Sequence, residues 1–148
     1  MDNQSNESNP RGALSGIMII LFSTLLSTLF FAGFFTLAHI KNMPYGRMQA
    51  MLSQVTSILF AVFLTQYLSR KIQGDRLKFM QGFLGGWMAS LVLAMFVTAF
   101  YSIFSSITGT QLLPKGAFAK GAFAMVLMLY SAIGVFVSLV FAFILKKE

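Results

Sequence analysis

Four stretches of this chain contain no Asp, Glu, Lys, Arg or His: residues 13–38, 51–69, 83–104 and 123–145. A helix rises about 1.5 Å per residue and the hydrocarbon core of a bilayer is about 30 Å thick, so about 20 residues are enough to cross it. All four stretches reach or approach that length, and the first exceeds it enough to tilt or overhang. They are apolar on every face, whereas a barrel strand alternates polar and apolar residues over about ten positions. Backbone groups in lipid must bond within their own segment, and this selects helices over isolated strands.

Composition excludes the alternative of a soluble core. The chain has 148 residues, 57% hydrophobic and 10% charged, where a soluble domain carries about 25% charged residues. Such a chain has too little charge to coat itself, so lipid must be its outer coat. The expected fold is an all-α membrane protein, a four-transmembrane-helix antiparallel bundle. Short connections make neighbouring helices antiparallel: residues 41–50 contain Pro44 and Gly46, and residues 70–81 contain Gly74 and Asp75. The third connection, residues 105–122, is the longest, with Gly109 and Pro114. Residues 1–12 read as a disordered polar N-terminal tail, and residues 13–148 as the transmembrane domain. The first apolar run exceeds the roughly 7 to 15 residues of a secretory signal, so it reads as a retained helix.

The formal charge is +7. Its cations lie in the gaps between apolar runs, with no basic helix or interleaved aromatic patch of the kind that binds nucleic acid. They set the orientation instead. With the N-terminus inside, the inner side holds Arg11, Arg70, Lys71, Arg76, Lys78, Lys146 and Lys147, and the outer side holds Lys41, Arg47, Lys115 and Lys120. Seven against four puts both termini in the cytoplasm. Arg70, Lys71, Arg76 and Lys78, crowded into one connection, are candidates to contact anionic lipid headgroups.

Small residues recur at spacing four in every helix. The third carries Gly82, Gly86, Ser90 and Ala94, continued by Thr98 and Ser102. The fourth carries Gly134, Ser138 and Ala142, and the second Ser53, Ser57, Ala61, Thr65 and Ser69. Gly12 and Gly16 begin a row in the first that passes Ile20 and resumes at Thr24, Thr28, Ala32 and Thr36. Such rows let helix backbones approach closely where the hydrophobic effect gives little drive, and the expectation is helix packing. The same residues would also serve a homodimer seam or a narrow polar path.

Chemistry finds few carriers. No Asp, Glu, Lys, Arg or His lies within the four runs, where an ion-coupled carrier needs such a group. Gln54 and Gln66 are the only amides in the crossings; both fall near predicted helix ends, to be satisfied by a neighbour or by headgroup water. His39 is the single histidine and cannot build a metal site alone. No carboxylate is placed to orient it beside a serine, and cysteine is absent. The expectation is therefore no catalytic residue, no cofactor and no metal. Trp87, Tyr45, Tyr67 and Tyr101 read as interface anchors. The ten methionines and seventeen phenylalanines read as lipid-facing filler or an adaptable surface.

Residues Lys78-Phe79-Met80-Gln81-Gly82-Phe83-Leu84-Gly85-Gly86 open the third helix, and Ser138-Leu139-Val140-Phe141-Ala142-Phe143-Ile144-Leu145-Lys146-Lys147 close the fourth. With the four-helix layout over most of the chain, they resemble the small four-helix bacterial membrane proteins known as domain of unknown function 4199. The resemblance implies a bacterial inner-membrane protein and supplies no substrate, cofactor or catalytic residue. The functional expectation is a non-enzymatic accessory, assembly or scaffold component whose partners are membrane lipids and a larger membrane complex or further copies of itself. The alternative is a small oligomeric transporter, flippase or pore.

Overall fold

The computed structural model describes residues 10–41, 47–73, 78–109 and 117–145. They form α1 (Pro10–Ile40), α2 (Arg47–Ile72), α3 (Phe79–Thr108) and α4 (Ala117–Leu145), with no strand among the described residues. Each helix outruns the uncharged stretch that predicts it, or begins before it, because helical bonding continues into the polar boundary of the membrane. Residues 10–12, which the sequence places in the tail, are the first turn of α1. A proline is well placed there, since its missing N–H is one that a helix start leaves unpaired anyway. At the far end of α3, Gly109 adopts φ +70° and its N–H donates to the Ser105 carbonyl at 3.0 Å. That left-handed cap is open to glycine because no Cβ opposes it.

Every helix contains a segment long and apolar enough to cross a membrane: Leu14–Ile40, Leu52–Ile72, Phe79–Thr108 and Phe123–Leu145. The shortest has 21 residues, about 30 Å of helix. Large side chains cover the outside, among them Met80, Met95, Met125, Met128, Phe136 and Phe143. Their exposure suits lipid-facing filler and an adaptable surface alike, whereas Phe31, Phe35 and Phe104 are buried in the core.

The cross-section is a rhombus rather than a square. The pair α2 and α3 forms the short diagonal, and both α1 and α4 pack on both of them. Among the described residues α1 and α4 do not pack on each other. Two kinds of interior result. On the α1 side, Phe31 and Phe35 meet Phe100 and Tyr101, and Phe35 also meets Phe104, in edge-to-face contacts with ring centroids 5.1 to 6.1 Å apart. That is the geometry in which the positive rim of one ring meets the negative face of the next. Along the diagonal, Ile58, Ala61, Val62, Leu93, Ala94 and Val97 are fully buried. On the α4 side, small residues let the backbones approach.

Candidate functional site

Gly86 faces the junction of α2, α3 and α4. A Cβ built there would collide with the Ser138 hydroxyl, lie 2.7 Å from Gln66 Nε2 and 2.9 Å from Val62 Cγ1. The space left by the absent side chain is therefore where Gln66 of α2 reaches across. Its amide nitrogen donates to the Gly82 carbonyl of α3 and to the Ser138 carbonyl of α4, both at 3.0 Å, and lies 3.2 Å from Ser138 Oγ. Three acceptors on one side fix which atom of the amide is nitrogen, because the oxygen could not face them. Ser138 Oγ in turn donates to the Phe83 carbonyl of α3. One buried amide and one hydroxyl thus tie three helices together, where lipid supplies no water to compete for those bonds.

A second contact continues the α3–α4 seam. A Cβ at Gly134 would fall on Ser90 Oγ and Cβ, so the α4 backbone rests there directly on the small Ser90 side chain of α3. Ser90 Oγ donates to the Trp87 carbonyl at 2.7 Å, and Trp87 Nε1 donates to Ser131 Oγ at 3.0 Å. Hydroxyls elsewhere turn back into their own helices: Thr24 to Ile20, Thr28 to Thr24, Ser57 to Gln54 and Thr98 to Ala94, at 2.7 to 2.8 Å. A side chain bonded in this way offers its lone pairs rather than its hydrogen to a neighbour. Ser23 Oγ, Ser27 Oγ, Thr65 Oγ1 and Gln66 Oε1 are buried with no hydrogen-bond partner among the described residues.

The structure places Gly82, Gly86, Ser90 and Ala94 on the buried face of α3, and Gly134, Ser138 and Ala142 on the buried face of α4. The row does not hold to the end of α3: Thr98 is half-buried and Ser102 exposed. A spacing of four advances about 40° around a helix at each step, so five steps carry a residue about 200° around. The buried face follows spacings of three and four instead, through Ala89, Leu93, Val97, Tyr101 and Phe104. In α1 the glycine row departs further. Nothing lies within 4 Å of a Cβ built at Gly16 or Gly33, and the buried face runs through Ile19, Ser23, Ser27, Phe31, Phe35 and Ala38.

Of the two outcomes expected for the amides, the structure shows satisfaction by a neighbour: Gln66 is fully buried and bonded to α3 and α4, and Gln54 reaches Tyr101 Oη at 3.3 Å. Tyr101 belongs to the aromatic core, and Trp87, half-buried, bonds across the α3–α4 seam. Tyr67, near the end of α2, is exposed, with Lys71 Nζ 6.0 Å from its ring centroid. Tyr45 lies outside the described residues. Of the headgroup candidates, Arg70 is half-buried, Lys71 and Lys78 are exposed, and Arg76 lies outside the described residues. His39 sits in the last turn of α1 with its ring edge-on to Phe104 at 5.2 Å. The fully buried Tyr130 was not singled out by sequence, because a tyrosine within an apolar run carries no mark of which face it lies on.

Beside these interior contacts lies a groove between α1 and α2, about 310 Å³ in volume, lined by Phe30, Phe31, Phe34, Leu52, Ser53 and Thr56. Phe31 is its buried floor, while Phe30, Phe34 and Leu52 are exposed walls. These features define an integral membrane protein of the all-α class, a bundle of four membrane-length helices locked at its centre by glycine contacts and one amide. No family model, no curated protein and no solved structure matches the chain.

Proposed function

We propose that this chain is a non-enzymatic accessory, assembly or scaffold component of a bacterial inner membrane, with both termini in the cytoplasm and a larger membrane complex as its partner. The observation that carries the reading is how Gln66 is used. The one fully buried amide among the described residues is committed through its nitrogen to the backbones of two other helices. Donors that close a bundle are not presented to a passing solute. The back-bonded hydroxyls of Thr24, Thr28, Ser57 and Thr98 support the same reading, since these four spend their hydrogens within their own helices. The sequence adds its support, with no Asp, Glu, Lys, Arg or His in the four uncharged runs. The resemblance to domain of unknown function 4199 belongs to this proposal and supplies the bacterial setting.

Purification of the full chain from native membranes in a mild detergent tests the reading. A larger membrane protein retained in fixed stoichiometry is the expected result. A homo-oligomer that holds no such protein and conducts a solute across liposomes overturns it.

A further inference from the structure

We propose that the groove between α1 and α2 holds one acyl chain of an anionic glycerophospholipid, whose headgroup is met by Lys41. Three observations point to this occupant. The groove faces lipid and has the wrong walls for a helix. Close helix seams need small residues where backbones meet, yet the rims here are Phe30, Phe34 and Leu52, each more than half exposed. A second copy of the chain would be held off by those rings. A slender, flexible chain fits between them, and about 310 Å³ is roughly twice the cavity of about 150 Å³ that accepts a benzene ring.

The second observation is register. Phe30, Phe34, Leu37 and Lys41 stand at spacings of four, three and four, which keep them on one stripe of α1. Lys41 follows Phe34 by seven residues, about 10 Å along the helix, and its side chain is exposed. A lipid lying with a chain in the groove therefore brings its phosphate toward that ammonium.

Charge distribution is the third. The two connections at this end, residues 41–50 and 105–122, contain Lys41, Arg47, Lys115 and Lys120 and no carboxylate. All four carboxylates of the chain, Asp2, Glu7, Asp75 and Glu148, fall in the segments at the opposite end. Seven cations against four carboxylates leave +3 there, whereas the groove end carries an uncompensated +4. The side with fewer cations is thus the side with the larger excess of positive charge. Moving an acyl chain from bulk lipid into the groove gains only contact, so selectivity resides in the headgroup.

The test uses the full chain in detergent, stripped of lipid and titrated with phosphatidylglycerol or phosphatidylcholine of matched chains, with bound lipid per protein read by native mass spectrometry. The parent is expected to hold one phosphatidylglycerol in preference to phosphatidylcholine. Lys41→Gln should weaken phosphatidylglycerol binding about five-fold, the effect of one cation near a headgroup, and leave phosphatidylcholine unchanged. Thr56→Phe should fill the groove and abolish retention of both lipids. It is a mild change for the fold, because Thr56 is exposed and its hydroxyl bonds only the Leu52 carbonyl of its own helix. Binding that is unaltered in both variants overturns the proposal. So does a preference removed by Lys71→Gln or Lys78→Gln rather than Lys41→Gln, which would place the lipid at the other end. A parent dimer that Thr56→Phe splits into monomers also overturns it, since the groove would then hold a second copy.

Discussion

A single hydrogen serves as the side chain of Gly86, and any heavier atom there meets Gln66, Val62 and Ser138 together. Replacement by leucine is therefore expected to force α3 away from both neighbours and break the amide bonds of Gln66. Overpacking of this kind costs about 1–3 kcal/mol, to which the lost hydrogen bonds add. Val92→Leu, an exchange of one bulky apolar residue for another at a half-buried position, is the comparison. Thermal unfolding in detergent should show a clear loss for Gly86→Leu and little change for Val92→Leu; equal midpoints would mean that the junction yields at no cost. Part of this site was legible in the sequence. Glycines at spacing four within an apolar run mark close approach, whatever the partner. The role of Gln66 was not legible, because distance along the chain from a helix end says nothing about which neighbouring helix rises beside it. Tyr101 illustrates the same gap: three residues from the end of its uncharged run, it nevertheless turns into the core beside Phe31 and Phe35.

Helices were the most legible level, since four uncharged runs in a lipid setting admit few other structures, and all four appear where they were expected. Their seams were less so. A row written at spacing four drifts around the helix, which is why the α3 row leaves the interface after Ala94; in α1 the buried face keeps spacing four from Ile19 through Ser23, Ser27 and Phe31 to Phe35, one residue out of register with the row opened by Gly12 and Gly16. Glycines in different helices should consequently respond in opposite ways to alanine. Gly134→Ala places a methyl group on the Ser90 side chain and should lower the unfolding midpoint, while adding Ser90→Gly removes both colliding atoms and should restore part of the loss. Coupling of about 0.5–3 kcal/mol between the two sites is the expected size for residues in contact. Gly33→Ala meets nothing within 4 Å and should leave stability equal or raise it by about 0.5–1 kcal/mol through the reduced backbone freedom of the unfolded chain. A destabilising Gly33→Ala would show that α1 packs through that face on something outside the chain.

For the whole molecule, orientation rests on cations alone. The seven-to-four distribution predicts that a reporter active only in the cytoplasm will give signal when fused to the C-terminus, and an equally expressed but silent fusion would reverse the assignment. How the bundle comes apart follows from its rhombic section. Because α1 and α4 share no contact among the described residues, these form two three-helix wedges joined along the α2–α3 diagonal. The wedges are fastened differently, one by a carbonyl-bonded amide and two glycine contacts, the other mainly by aromatic rings and aliphatic packing. Removing α1 leaves every bond of the Gln66 junction intact, whereas removing α4 takes away Ser138 and Gly134. The two outer helices are thus separate cooperative units, and α1 is the one to open first, with its amides exchanging hydrogen for deuterium ahead of those in α3. A chain made this way carries a detachable first helix on a three-helix base that keeps its own fastenings.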